Sequence, residues 1–274
     1  MTINCKGILV DLSTPKVMGI LNVTPNSFYD GGKYKNESEI LSQVEKMLVD
    51  GASFIDIGAY SSKPNAEFVS EQEEISRIIP VVDLVLKHFP DTMLSIDTFR
   101  SKVAKVAIEN GAAIINDISA GNLDDKMLEV IGKYNVPYIM MHMRGNPQTM
   151  QTLTNYEDIV KEMLFYFSER VAKARTFGIN DLILDPGFGF AKTIDQNYEV
   201  FQKMELFKML ELPLLVGISR KSMIYKTLDS TIEKAMNGTT VLNTLALTKG
   251  ANIIRVHDVK EAAECVTFFN KINL

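Results

Sequence analysis

Eight short, almost unbroken apolar runs recur along the chain, and this recurrence limits the fold more than any other feature. They lie at residues 17–23, 54–57, 93–96, 114–115, 138–141, 182–184, 214–216 and 253–256. Each reads as a strand buried on both faces, because a strand with one wet face would alternate polar and apolar residues. Longer stretches at helical spacing separate them. Residues 71–88 place Ile75, Ile78, Ile79, Val82 and Leu86 on one face, and residues 158–177 do the same with Ile159, Met163, Phe167, Val171 and Ala174. Ser70 and Glu73 form a capping-box pattern at the start of the first stretch. Gly51, Gly111, Gly178 and Gly250 each stand just after a helical stretch and just before the next apolar run. Eight strand–helix units in about 250 residues predict an α/β fold of the (β/α)8 TIM-barrel type. A doubly wound open sheet is the structural rival. The residues before Lys16 read as a short N-terminal hairpin that closes the barrel floor. No linker or low-complexity segment divides the chain, so residues 1–274 are expected to form one domain.

Composition narrows the function class. Lys plus Arg is 29 and Asp plus Glu is 34, a net charge of −5, which disfavours a general nucleic-acid binder. No apolar run approaches a membrane span, and the first residues do not resemble a secretion signal. Cys5 and Cys265 stand at opposite ends of the sequence without metal-ligand spacing. One bridge between them is conceivable; they read rather as two thiols of a reducing compartment, so a cytoplasmic location is expected.

In such a barrel, chemistry belongs at the C-terminal ends of the strands. The residues there are polar in all eight units. The first strand ends at Asn22, the second in Asp56, the third at Asp97, and the fourth at Asn116 and Asp117. The fifth ends at His142 and the sixth at Asp185, the seventh leads to Arg220 and Lys221, and the eighth ends in Arg255 and His257. Any one of them could be a turn or capping residue; eight facing one mouth favour a site. Acids and amides from the third, fourth and sixth units suit a flat heterocycle with several N–H donors. Cations from the last two units suit an anionic tail, since barrels often hold phosphate there. Two loops rich in hydroxyls and turn formers, at residues 24–32 and 59–65, read either as solvated connections or as lids over such a ligand.

At these residues the chain resembles the dihydropteroate synthase family. The resemblance rests on the six blocks Met18-Gly-Ile-Leu-Asn-Val-Thr-Pro-Asn-Ser-Phe28, Ser95-Ile-Asp-Thr98, Ile115-Asn-Asp117, Leu184-Asp-Pro-Gly-Phe-Gly-Phe190, Gly217-Ile-Ser-Arg-Lys-Ser222 and Arg255-Val-His-Asp258. Six blocks in order are specific where one alone would be weak. The resemblance implies a transferase that joins (7,8-dihydropterin-6-yl)methyl diphosphate to 4-aminobenzoate. It also implies use of Mg2+ and assembly as a homodimer. By matching position, Asp97, Asn116, Met140, Asp185, Lys221 and Arg255 would hold the pterin, with Met140 either an apolar wall or plain barrel filling. Asn22, Ser62, Arg255 and His257 would hold the diphosphate. Phe28, Ser62, Pro64, Phe190, Lys221 and Ser222 would line the aminobenzoate site. Asn22 and Asp30 are the candidate Mg2+ ligands, although Asp30 could equally be a turn residue before Gly31-Gly32. Lys221, Asp97 and Asp185 would carry catalysis.

The chain departs from the family pattern in both loops. Asn26 replaces the usual Asp, and Ala59-Tyr-Ser-Ser-Lys-Pro-Asn65 replaces Gly-Glu-Ser-Thr-Arg-Pro-Gly. Two alternatives share the scaffold: a methyltetrahydrofolate:corrinoid methyltransferase and a non-catalytic pterin-binding paralogue. The first would not need cations aimed at diphosphate; the second would not need a metal and diphosphate set.

Overall fold

The computed structural model describes residues 1–23, 33–60 and 69–272. Phe28, Asp30, Ser62 and Pro64 lie outside the described residues. The chain begins with β1 (Thr2–Cys5) and β2 (Ile8–Asp11), then enters β3 (Lys16–Asn22). It continues through α1 (Lys33–Val49), β4 (Phe54–Gly58), α2 (Glu71–His88), β5 (Leu94–Asp97), α3 (Ser101–Glu109), β6 (Ile114–Asp117), α4 (Met127–Tyr134) and β7 (Tyr138–Met141). The last part holds α5 (Ile159–Thr176), β8 (Leu182–Asp185), α6 (Ile194–Gln202), β9 (Leu215–Val216), α7 (Ser222–Thr227), α8 (Met236–Thr248), β10 (Ile253–Val256) and α9 (Val259–Ile272).

Strands β3 to β10 form one parallel sheet in the order β8-β7-β6-β5-β4-β3-β10-β9. The seam between β8 and β9 is held by a single parallel bridge, Leu184 to Leu214, and by Leu184 N–H donating to the Pro213 carbonyl at 2.9 Å. The sheet is therefore a nearly closed barrel, as the recurrence of apolar runs predicts, and the open-sheet rival is excluded.

The pleat sorts every strand into two faces. Ile55, Ile57, Leu94, Ile96, Ile115, Tyr138, Met140, Leu182, Leu184, Val216 and Ile254 pack outward with the helices in the main core. The alternate residues point into the barrel. Its lowest layer is Met18, Phe54, Ile114, Ile139, Ile183, Leu215 and Ile253, and the hairpin adds Ile3, Cys5 and Leu12 beneath it. Lys6 and Gly7 both take positive φ, 55° and 85°, which gives the β1–β2 turn the twist a two-residue hairpin needs. Asn4 N–H donates to Asp181 at 3.0 Å, and the Asn252 side chain donates to the Leu12 carbonyl at 2.9 Å, so the plug is tied to the floor at two places. Both cysteines are buried and free of a disulfide.

Two local expectations change. Ser70 caps α2 by accepting from Glu73 N–H at 3.2 Å. The reciprocal half of the box is absent because the Glu73 carboxylate is taken by Arg77 one turn on. The complete box stands instead at Thr193 and Gln196, at the start of α6. The buried face of α2 is Glu74, Ile78, Val81, Val82 and Val85, with Ile75, Ile79 and Leu86 at its margins. Glu74 is tolerated there because Arg100 donates to it at 2.6 Å.

Candidate active site

Above the apolar floor the inward positions turn polar. Asp56 of β4, fully buried, accepts from the Asn116 side chain at 3.0 Å and from Arg255 Nε at 2.6 Å. Arg255 Nη2 donates to Asp97 at 2.9 Å. One edge of the guanidinium thus bridges two carboxylates from neighbouring strands. Burial works against the Arg255 charge, but Asp56 and Asp97 more than offset it and hold the group above its usual range. Burial pushes Asp97 up to about 7, against the pull of Arg255.

On the opposite side, β8 ends in Asp185. Burial raises this carboxyl, opposed by Lys221 and by the Gly187 N–H, which donates to Oδ1 at 2.8 Å. Gly187 has φ +66°, and a Cβ there would lie 2.3 Å from the His142 carbonyl oxygen, so no side chain fits. The turn that follows carries Phe188, whose ring is buried and whose carbonyl accepts from Lys221 Nζ. Lys221 also sits 4.5 Å from the centre of the Phe190 ring. Burial pulls its ammonium down to about 8, opposed by Asp185. Beneath this turn lies Lys192, 6 % exposed, donating to the carbonyls of Gly187 and Phe190 and lying 3.0 Å from His142 Nδ1.

The third wall comes from the ends of β9 and β10. Ser219 Oγ lies 3.1 Å from His257 Nδ1 and accepts from the His257 backbone N–H at 3.2 Å. Arg220 holds Asp258 through two bonds of 2.8 and 2.7 Å. These groups meet in one cavity of about 720 Å³, a size ordinary for a small-molecule site. Asp97, Asn116, Asp185, Lys221, Arg255 and His257 all line it, with Met141, Phe190 and Ser222 among the other walls. A pocket that interleaves acids and an amide with cations can pair the donors of a heterocycle and neutralise an anion attached to it.

The profile of the pterin binding enzyme family matches residues 18–257. Dihydropteroate synthase of Synechocystis sp. is 45% identical over 251 residues, covering 90% of this chain and 86% of its own length. A Yersinia pestis dihydropteroate synthase, solved in complex with a sulfonamide drug, superposes with a TM-score of 0.92 at 40% identity, covering 100% of this chain and 99% of that one. The chain belongs to the dihydropteroate synthase family. A Xanthomonas albilineans dihydropteroate synthase solved with 4-aminobenzoic acid matches with a TM-score of 0.91 at 33% identity, over 99% of this chain and 98% of that one.

Within this dihydropteroate synthase fold, Met140 needs correction. It is fully buried between the barrel and its helices and does not line the cavity. Met141, the next residue on the strand, points inward and does. The pleat decides this, since adjacent residues face opposite sides of a strand. Asn22 is exposed at the end of β3 and is not among the cavity walls, although its Oδ1 stands over Gly58 beside Asp97. Among the described residues no group of three or more His, Cys, Asp and Glu side chains is placed to hold a metal ion. Three contributors escape the sequence reading of the dihydropteroate synthase blocks. Asp56 was visible as a strand-end acid, but its bond to Arg255 crosses 199 residues. Lys192 follows the Leu184–Phe190 block by two residues and carries no motif of its own. Ser219 lies inside a matched block, yet only the fold reveals its contact with His257.

Proposed function

We propose that this chain catalyses the dihydropteroate synthase reaction: the amine of 4-aminobenzoate displaces diphosphate from (7,8-dihydropterin-6-yl)methyl diphosphate, giving 7,8-dihydropteroate for folate biosynthesis. The observation that carries this reading is that Asp97, Asn116, Asp185, Lys221, Arg255 and His257 all line one cavity. Asp185, with one oxygen already taken by Gly187, would accept the ring N–H and amino donors of the pterin on its remaining lone pairs. Asn116 and Asp97 would pair the other polar edge. Arg255 has its Nε and Nη2 edge committed to the two aspartates, so its flat face would lie against the pterin ring.

At the other end, His257 and Asn22 would bind the diphosphate, with Ser62, and with Arg255 acting through the guanidinium edge that the aspartates leave. Lys221 and Phe190, with Ser222, Phe28, Ser62 and Pro64, would frame the aminobenzoate. The ammonium of Lys221 has three donors and spends one on Phe188, leaving others for substrate. The attacking aryl amine is neutral near pH 7, so the site needs no strong base. Departure of diphosphate is the step that the cationic wall favours.

Asn22 offers an exposed side-chain oxygen and no carboxylate cage surrounds it among the described residues. That donor set fits Mg2+, which takes few protein ligands and completes its shell with phosphate oxygens and water. Asn22 and Asp30 would hold it. The bound ion would stabilise negative charge on the leaving diphosphate.

A second copy of the chain is the proposed partner. Val241 and Leu245 of α8, with Phe268 and Ile272 of α9, are exposed apolar residues on the last helices, and a homodimer would cover them. Among the described residues no helix is long and apolar enough to cross a membrane. The two buried thiols, free of a disulfide, agree with a cytoplasmic location.

The deciding experiment measures product formation from the two substrates with and without Mg2+, with sedimentation of the same sample for the dimer. Release of diphosphate coupled to dihydropteroate, dependent on Mg2+, is expected. No product at any Mg2+ concentration overturns the assignment.

A further inference from the structure

We infer that Lys192 is a positioning residue: its ammonium clamps the turn at residues 187–190 and so sets Lys221 and Phe190 against the second substrate. The inference rests on the reaction proposed above. An ammonium has three N–H donors and no acceptor. Lys192 Nζ donates to the Gly187 carbonyl at 3.0 Å and the Phe190 carbonyl at 3.1 Å, and stands 3.0 Å from His142 Nδ1, which is a third acceptor when the imidazole carries its proton on Nε2. With that tautomer all three donors are committed within the protein, so the ammonium, although it borders the cavity, acts through what it holds.

What it holds is the hub of the site. The turn closes on itself, with Phe190 N–H donating to the Gly187 carbonyl at 3.1 Å and Gly189 at φ +82° in the third position. Every other polar backbone contact of the turn reaches a named side chain. Gly187 N–H goes to Asp185, Gly189 N–H to Asn197 at 2.7 Å, and the Phe188 carbonyl to Lys221. The Asp185 end is secured by that carboxylate itself. The Phe190 end is secured by Lys192, and the Phe190 ring lies under the Lys221 ammonium. Removing the Lys192 charge would leave two carbonyls without that donor and release the end of the turn that carries Phe190.

The contact with His142 fixes a further detail. The imidazole can accept at Nδ1 only when it is neutral and carries its proton on Nε2. His142 is buried, and its ring packs edge-on against Tyr166 with centres 4.9 Å apart. Burial above all, and then the fields of Lys192 and Arg144, disfavour a protonated ring.

The test compares steady-state kinetics of the wild-type enzyme and Lys192→Met, each substrate varied in turn, with calorimetry of the pterin diphosphate. Lys192→Met should raise KM for 4-aminobenzoate and lower kcat, each by about tenfold or more, since a small misplacement of a positioned group is enough for that. Affinity for the pterin diphosphate should stay within about threefold. Unchanged KM and kcat in a folded variant, or a loss confined to melting temperature or active fraction, would overturn the inference. A second measurement needs no variant. The chain has three histidines, so nitrogen NMR of the wild-type imidazoles can assign the tautomer of His142. Burial pulls Lys192 down to about 7, so the readout is taken at pH 6, where the ammonium prevails: an Nε2–H tautomer there supports the clamp, and an Nδ1–H tautomer removes the acceptor and overturns it. Absence of turnover in the wild-type enzyme would instead strike the proposed reaction and leave the tautomer readout standing.

Discussion

Arg255 reaches Asp97 at 2.9 Å across the barrel mouth while its Nε is held at 2.6 Å by the buried Asp56. The guanidinium therefore serves the protein before it serves a ligand. It compensates two carboxylates whose burial would otherwise be costly, and it is held flat at the floor of the cavity.

Arg255→Met should destabilise the fold by about 3 kcal/mol, because it strips the counter-ion from a fully buried acid and its neighbour. Urea unfolding checks this through a lower midpoint at unchanged slope. An unchanged midpoint would show that the acids carry no net charge together in the folded state.

Asp97 links pH to both stability and binding. Its folded pKa of about 7 lies above the ordinary 3.8, so between those values the folded state holds more proton than the unfolded one. Its contribution therefore favours the fold at low pH and is lost as pH rises through about 7. Pterin binding has the opposite sign, because only the carboxylate accepts two N–H bonds. Affinity should fall up to about tenfold for each unit below an apparent pKa near 7, a value that belongs to the coupled acids of the mouth together. Calorimetry from pH 5.5 to 8.5 checks it, and Asp97→Asn should flatten the slope.

Asp185→Asn should weaken pterin binding by about tenfold or more, since it exchanges an acceptor pair for one acceptor and one donor. The amide can still accept from Gly187, so the turn should persist. Equal affinities in calorimetry would remove Asp185 from the pterin site.

Lys221→Ala should lower kcat on the order of 100-fold, with a melting temperature within about 4 °C of the parent. Among the described residues its ammonium makes one hydrogen bond, to the Phe188 carbonyl, so the fold loses little. A near-normal rate would refute its place in the reaction.

Gly187→Ala should cost about 2 kcal/mol or more and abolish activity, because the new Cβ meets the His142 carbonyl in a left-handed backbone. The unfolding midpoint and the rate, measured together, check it. A stable, active variant would mean that β7 can move away from the turn.

Much of this site was readable because the code of a barrel is local. A strand residue points inward or outward according to its parity, so Asp97, Asn116, Asp185 and Arg255 could be assigned to the mouth from their places at the ends of apolar runs. The same rule caught Met140 on the wrong side: two methionines stand together, and no sequence pattern states which one begins the inward count. Glu73 illustrates another limit. Its spacing from Ser70 fits a capping box, yet Arg77, also at helical spacing, offers a full charge in place of a backbone N–H and wins the carboxylate.

The order of strands and helices, the barrel class and the identity of the strand-end residues were set by local hydrophobic periodicity and by matched blocks, which need no knowledge of long-range contacts. The bridge from Arg255 to Asp56 and Asp97, the Ser219–His257 contact and the Lys192 clamp were decided by the tertiary structure alone. They join residues 199, 158, 38 and 50 positions apart in sequence, and the separation of two side chains that far apart in sequence is fixed only when the barrel curves round to bring their strands together.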